Sequence, residues 1–305
     1  MDPLPITRID QHSGSEYTSY IDLEGREIFR RKYVLGAHFA EGVASARTAS
    51  DTLEFFDRVG DVLFSGKFDG LGHFSDGLCA LTRRRSFLAG YYDRSWKEVI
   101  SPRFVVAGDF FEGHALVSKD GNRFGFIRRD GSIAIKITYQ QVRRFSEGLA
   151  AVLDDGGWRF ISTEGAVIIK GPFQGPRAGP FLGGHASVCV GSGWGSIRRD
   201  GSWAIEQTFE DIGRWSEGRV AVKHGWAWRY IETDGNRASA ESFEDAEPFE
   251  NGVAPAKRDG GWGLIDLNYR FVVEPQFEHL LRCRAGIFLA LYEDAHSYID
   301  STGRT

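Results

Sequence analysis

Phe145-Ser146-Glu147-Gly148-Leu149-Ala150-Ala151-Val152 is one statement of a phrase, Phe-x-Glu-Gly-x-Ala-x-Val, that returns along the chain at a nearly fixed interval. Its first residue, the anchor, recurs at Phe39, Phe74, Phe110, Phe145, Phe181, Trp215, Phe249 and Cys283, in steps of 35, 36, 35, 36, 34, 34 and 34 residues. A unit this short cannot bury a core of its own, so eight copies of it mean a repeat architecture. The copies are numbered one to eight from these anchors.

Three more landmarks accompany each anchor. An aromatic-rich stretch follows, such as Gly157-Trp158-Arg159-Phe160-Ile161 or Gly261-Trp262-Gly263-Leu264-Ile265; its last apolar position recurs nine times, from Ile21 to Ile299. A turn comes next, as at Glu24-Gly25, Asp130-Gly131, Glu164-Gly165, Asp200-Gly201, Asp234-Gly235 and Thr302-Gly303. Asp-Gly between alternating apolar runs is a strong hairpin signal, because glycine takes positive φ without cost. A β-branched run closing on an aromatic completes the unit, at Tyr33, Phe68, Phe104, Tyr139, Phe173, Phe209, Phe243 and Phe277. One unit thus reads as strand A (Gly-x-Ala-x-Val), strand B (Gly-Trp-x-x-Ile), a tight hairpin and strand C, with room for a short fourth strand. No window carries a convincing helical period, so helix is expected to be scarce.

Composition agrees with an all-β protein. Aromatic residues make up 13% of the chain, glycines number 38 and there is one methionine, which suits many short strands and tight turns. The period runs through residues 1–305 without a linker, so a single repeat domain is expected. Strand A is built from small residues and strands B and C from large ones. That taper fits a closed β-propeller whose inner strand lies near the axis, and closure hides terminal edges. The expected architecture is a closed eight-bladed propeller with blades of about 35 residues; the alternative is an open superhelix of stacked β-hairpins. Nine B strands against eight C strands leave an extra A–B portion. Either each blade runs from C of one unit to B of the next, leaving the segment before Gly25 over, or the two ends share a blade.

Gly261-Trp262-Gly263-Leu264-Ile265-Asp266 followed by Val272-Val273-Glu274-Pro275-Gln276-Phe277, together with the Phe-Ser-Glu-Gly phrase, resembles the bacterial WG-repeat family, also called KWG repeats. The resemblance covers about residues 17–303, although Trp-Gly itself survives only at Trp194-Gly195 and Trp262-Gly263. It implies an all-β domain used for binding and brings no catalytic residues.

Charge and motifs narrow the function. A net charge of −5 argues against a nucleic-acid partner, which needs a basic surface. No apolar run approaches the length of a membrane helix and no signal peptide is evident, so a cytoplasmic protein away from membranes is expected. Cys79, Cys189 and Cys283 are widely spaced and read as buried thiols of a reducing compartment, not as metal ligands. No nucleophile elbow, phosphate loop or zinc motif is present, no cofactor is expected, and the reading leans against an enzyme.

Three sets of residues are candidates for recognition. Two positions after the anchor stand Glu41, Asp76, Glu112, Glu147 and Glu217, which either accept backbone N–H groups in the turn or form an acidic ring for a basic partner segment. Four positions after the anchor, where five copies are apolar, three are polar: His114, His185 and Arg219. Polar exceptions to an apolar repeat position are candidates for a small-anion site in the channel. Arg128 and Arg198 lie at the hairpins Ile127-Arg128-Arg129-Asp130-Gly131 and Ile197-Arg198-Arg199-Asp200-Gly201 as a possible partner patch. The proline-rich stretch 172–180 of copy five is expected to be a loop or irregular edge.

The first reading is therefore a non-enzymatic scaffold that captures a protein partner on a propeller face or channel mouth. The alternatives are an enzyme or anionic-ligand binder using His114, His185 and Arg219, and a lectin-like carbohydrate binder. The last requires exposed, equivalent rings at Trp158, Trp194, Trp228 and Trp262.

Overall fold

A computed structural model describes residues 2–9, 15–22, 25–233, 240–282, 286–292 and 296–304. The anchor Cys283, Ala285, Glu24 and the Asp234-Gly235 turn lie outside the described residues. Every regular element described is a strand, and no described helix is long and apolar enough to cross a membrane. The chain divides into two compact units: residues 1–144 with 163–165, and residues 145–162 with 166–305.

Within each unit the copies form antiparallel sheets of one plan. In copy three a lead strand, Val106–Phe111, pairs with strand A, His114–Ser118; A pairs with B, Phe124–Arg128; and B pairs with C, Ile133–Tyr139. Copy seven repeats it with Asp245–Ala246, Val253–Arg258, Gly261–Asp266 and Phe271–Phe277. The short fourth strand is thus a lead strand before A.

Strand C stays in the sheet of its own copy, which corrects the arrangement running from C of one unit to B of the next. The physical reason is the hairpin: a turn of a few residues returns C alongside the B strand that precedes it. The segment before Gly25 is not left over either. Leu4–Ile9 pairs with Glu16–Ile21, and bridges Ile21↔Glu27 and Thr18↔Tyr33 supply its C side. This leading sheet precedes the eight anchored copies, and the last sheet ends at its B strand, His296–Ile299.

The anchor phrase is a two-residue hairpin. Ser146 and Leu149 exchange both backbone bonds (3.0 and 3.2 Å) across Glu147 and Gly148, whose φ values are 55° and 76°. Positive φ at both central residues is the turn that matches strand twist, and it explains the glycine of every copy.

The glycine of Trp-Gly has a different cause. Strand C bulges opposite it, and a Cβ on Gly125 would stand 2.6 Å from the carbonyl oxygens of both Ile135 and Lys136. At Gly263 the same Cβ would stand 2.4 Å from the Val273 oxygen. Only glycine lets the backbone of C approach this closely.

Copies join through rings. The residue just before the last apolar position of strand B points at the next anchor: Tyr91 meets Phe110 at 4.9 Å, Phe160 meets Phe181 at 5.0 Å and Tyr230 meets Phe249 at 4.9 Å, all steeply inclined. Edge-on contacts of this kind add to the area they bury. Where the residue is tyrosine, its hydroxyl also donates to the carbonyl two residues before that anchor: Tyr20 to Ala37 (2.8 Å), Tyr91 to Gly108 (2.7 Å) and Tyr230 to Glu247 (2.6 Å). Burial pushes all three phenols above their ordinary range.

Copy five replaces the ring with Ser196, and copy six answers with the tryptophan anchor. The Trp215 indole N–H donates to the Ser196 hydroxyl at 2.7 Å, and Ser196 Oγ donates in turn to the Ala186 carbonyl. The same copy lacks a lead strand. Residues 174–181 run irregularly past Pro176 and Pro180, tied to strand A by Gln174 N–H to Cys189 O and Gly179 N–H to Ser187 O. That is the irregular edge the prolines predict.

Two predictions follow from these joints. Ser196→Ala leaves a buried indole N–H without its acceptor and is expected to cost about 1–3 kcal/mol in urea unfolding; Trp215→Phe in the same chain should recover part of that loss. A double-mutant cycle showing additive effects would refute the coupling. Gly125→Ala forces a methyl group against two carbonyl oxygens and should cost about 1–3 kcal/mol, whereas Gly70→Ala, with nothing near its Cβ, reports only the strain of its φ of 71°.

Candidate functional site

All the residues that sequence offers for recognition except Arg128 and Arg198 lie on the hairpin of the anchor phrase, and most of them make contacts that run from copy to copy. The carboxylate two places after the anchor accepts the turn glycine N–H of the following copy. Glu41 accepts from Gly77 (3.2 Å), Asp76 from Gly113 (2.9 Å), Glu147 from Gly184 (3.0 Å) and Glu217 from Gly252 (3.1 Å). Where serine precedes the acid, its hydroxyl donates to the next anchor's carbonyl: Ser75 to Phe110 (2.5 Å), Ser146 to Phe181 (2.6 Å) and Ser216 to Phe249 (2.5 Å). Phe-Ser-Glu-Gly is therefore a joining cassette, with the ring buried, the hydroxyl and carboxylate reaching forward, and the glycine making the turn.

Energetics explain why glutamate stays there. Its φ of about 50° costs a side-chain-bearing residue about 1–2 kcal/mol, and asparagine or glycine would suit the turn better. A hydrogen bond to a charged acceptor is worth about 1.5–3 kcal/mol net before solvent screening. The carboxylate is kept for the contact it makes. Glu112 holds the same backbone turn, with a φ of 52°.

Cations from the B–C hairpins cover part of this row. Arg94 of copy two pairs with Glu41 of copy one at 2.7 Å and lies 4.8 Å from the centre of the Phe74 ring. Arg199 of copy five stands 3.8 Å from Glu147 of copy four. Arg128 and Arg198, one place earlier, are exposed and fold back on their own hairpins, donating to the carbonyls of Ile133 (3.2 Å) and Trp203.

The three polar exceptions share one local role. His114 Nδ1 lies 2.9 Å from the Glu112 carbonyl, His185 Nδ1 lies 2.8 Å from the Gly183 carbonyl, and Arg219 donates to the Glu217 carbonyl at 3.2 Å. A carbonyl only accepts, so both imidazoles carry the proton on Nδ1. Each side chain thus closes the turn of its own phrase. His185 is buried and stacks on Trp215 at 4.4 Å. Arg219 lies 5.6 Å from the rings of Phe249 and Tyr269 and donates to the Tyr269 hydroxyl at 2.6 Å. Leu78 and Leu149 occupy the same position and pack with Phe110 and Phe181, so in these copies, as at His185 and Arg219, the position is a joint contact. His185 and Arg219 occupy separate joints.

The lectin-like expectation is corrected. Trp158 is 1% exposed and Trp194 6%, while Trp228 and Trp262 are partly buried against the cores of copies seven and eight. Strand B turns these rings inwards onto strand C aromatics, as with Trp158 opposite Phe173 and Trp262 opposite Phe277, so they are not equivalent open platforms. The Cys79 and Cys189 thiols are buried, which raises both above their ordinary range. Among the described residues no group of three or more His, Cys, Asp or Glu side chains is placed to hold a metal ion.

What sequence reasoning passed over lies at the A–B turns. Trp226, in the turn of copy six, is 97% exposed, and Phe87, in the turn of copy two, is 71% exposed. The copy-six turn is pinned, because Gly225 N–H donates to the Glu210 carboxylate at 3.0 Å. The signal available was a tryptophan outside every repeat landmark.

Stacked copies of this plan define an all-β repeat protein of propeller-like construction. Residues 90–122, 124–158, 194–225 and 228–262 match the model of the WG containing repeat, so these copies are WG repeats. No curated protein matches the chain. Among solved structures, a eukaryotic initiation factor aligns at 10% identity over 100% of this chain and 94% of its own, with a TM-score of 0.70. BamB from Moraxella catarrhalis aligns at 10% identity over 88% of this chain and 94% of its own, with a TM-score of 0.51. The computationally designed Ika8 protein aligns at 10% identity over 86% and 94%, with a TM-score of 0.53. At such identity the likeness is one of fold.

The B–C turns carry a pH signature. Asp93, Asp266 and Asp300 follow the last apolar residue of strand B, and Asp130 and Asp200 stand two places later; each accepts N–H or hydroxyl donors of its own turn. These bonds hold all five carboxyls below the usual range, Asp300 at about 2. A lowered folded value gives stability that is complete above the unfolded value of about 4 and is lost as pH falls through the folded one. Melting temperature should therefore drop steeply between about pH 4 and pH 2. The combined Asp93→Asn, Asp266→Asn and Asp300→Asn variant should show a shallower acid slope in the same melts.

Proposed function

We propose that this chain is a non-enzymatic binding scaffold, a closed β-propeller that captures a protein partner on one of its faces. The observation that carries the reading is Trp226, a fully exposed indole on a turn fixed by Gly225 and Glu210. Exposed tryptophan is costly to keep in water and is enriched among residues that dominate protein interfaces. A pinned turn presents it with little ordering left to lose on binding. The polar residues that would otherwise suggest chemistry are engaged at the joints, which supports binding over turnover. An anion site built from His114, His185 and Arg219 would have to take back side chains that already close turns and cover rings.

Closure is supported by joints that repeat with one geometry and by the end-to-end alignment at a TM-score of 0.70. The eight anchored sheets are the blades of the expected eight-bladed ring, and the leading sheet of Leu4–Ile9 and Glu16–Ile21 is a further one available to it. Arg128 and Arg198 remain exposed for a partner's acidic groups.

Two experiments test this. Wild type and Trp226→Ala, matched in melting temperature, are used as bait in lysate of the native host with quantitative mass spectrometry. A stoichiometric protein captured by wild type and reduced at least tenfold by the variant is expected; capture of nothing above the empty matrix overturns the scaffold reading. Deleting residues 278–305 should abolish a single cooperative melt if the ring is closed, whereas an open array would lose only a share of its unfolding enthalpy.

A further inference from the structure

A groove of about 480 Å³ lies on copy three, lined by Lys119, Asp120, Arg123, Ile133, Lys136, Ile137 and Thr138. It runs along strand C, Ile133–Tyr139, the last strand of its sheet, and reaches the A–B turn. Its walls carry three cations and one acid. The acid is already committed: Asp120 accepts the N–H groups of Asn122 (2.8 Å) and Arg123 (3.0 Å) and the Ser118 hydroxyl (3.2 Å). Those bonds hold its carboxyl below the usual range. Lys119 and Lys136 have no hydrogen-bond or salt-bridge partner among the described residues, and Arg123 makes one long bond, to the Thr138 carbonyl at 3.3 Å.

The repeat does not impose this charge. At the place of Lys136, three before the aromatic that ends strand C, copy four carries Lys170 but copies five and seven carry Glu206 and Glu274. At the place of Arg123, copies four, five and seven carry Gly157, Gly193 and Gly261. Copy three alone puts a cation at both, in a chain whose net charge is −5. Ile133, 43% exposed, and the half-buried Ile137 put apolar surface between the cations.

We infer that this groove is the docking site for an extended acidic segment of the protein partner, an inference that rests on the scaffold reading above. Carboxylates of the segment pair with Lys119, Arg123 and Lys136, and an apolar side chain between them covers Ile133 and Ile137. An edge strand with free cations beside it suits a chain lying along it, since side chains of an extended segment alternate between faces. Charge complementarity at such a rim acts chiefly through encounter rate and salt dependence.

The test uses the full chain and a fluorescein-labelled peptide of alternating glutamate and leucine, with its glutamine counterpart as control. Anisotropy titration should show binding of the acidic peptide, at least tenfold weaker binding by Lys119→Glu/Lys136→Glu, weakening with added salt, and no binding of the glutamine peptide. Both substitutions are on exposed side chains, so melting temperature should not move. Equal affinity of wild type and variant for the acidic peptide, or binding of inorganic triphosphate but not of the peptide, overturns the inference. In the lysate capture, a partner lost with Trp226→Ala but retained in full by Lys119→Glu/Lys136→Glu would sink the groove and leave the scaffold reading standing. Loss in both variants supports both.

Discussion

The contact on which everything else depends is a ring of strand B against the anchor ring of the next copy. One sheet of three or four short strands buries too little surface to stand alone, so each copy is stable only because the next one covers it. The Phe-Ser-Glu-Gly cassette turns that dependence into geometry. The anchor ring supplies buried area, while the serine hydroxyl and the carboxylate fix where the next turn must lie. A shift of one residue would break both bonds and turn the ring out of the core, so register between copies is specified twice over.

This explains how much was legible in the sequence. Period, strand order and the anchor hairpin follow from local chemistry: small residues in A, rings in B, glycine where φ is positive. The irregular edge at Pro176 and Pro180 was legible for the same reason. Of the two arrangements left open for the extra A–B portion, the one that gives strand C to the next sheet fails, because period alone does not say where a repeat begins, whereas a tight hairpin does. The forward bonds were out of reach: Glu147 and Gly184 are 37 residues apart, and nothing local in the turn announces a partner in the next copy. Counting polar exceptions found His114, His185 and Arg219 correctly as exceptions but did not foresee their bonds, because a carbonyl two residues back is invisible in a pattern of side chains.

Electrostatics of the anchor row follow from the same joints. A row of carboxylates on one edge would repel itself and draw in cations. Here Glu41, Asp76, Glu147 and Glu217 each accept a turn N–H, and Glu41 and Glu147 also face an arginine from the next copy's hairpin. Exposed pairs of this kind add little stability individually, and they offset the charge of Glu41 and Glu147 alone. Four of these acids thus have a structural contact at the joints.

Departures from a repeat come in two kinds, and separating them is more informative than counting them. Ser196 departs, and Trp215 departs with it, so that one hydrogen bond replaces one ring contact. Such paired departures preserve the joint and carry no information about function. Trp226 has no answering change in the next copy, and neither does the Lys119, Arg123 and Lys136 set. Each leaves an unsatisfied surface, apolar in one case and cationic in the other, that folding alone gives no reason to keep. On the proposed scaffold reading, unpaired departures on turns and an edge strand let such a fold change its partner without disturbing its core, because the joints do not use them.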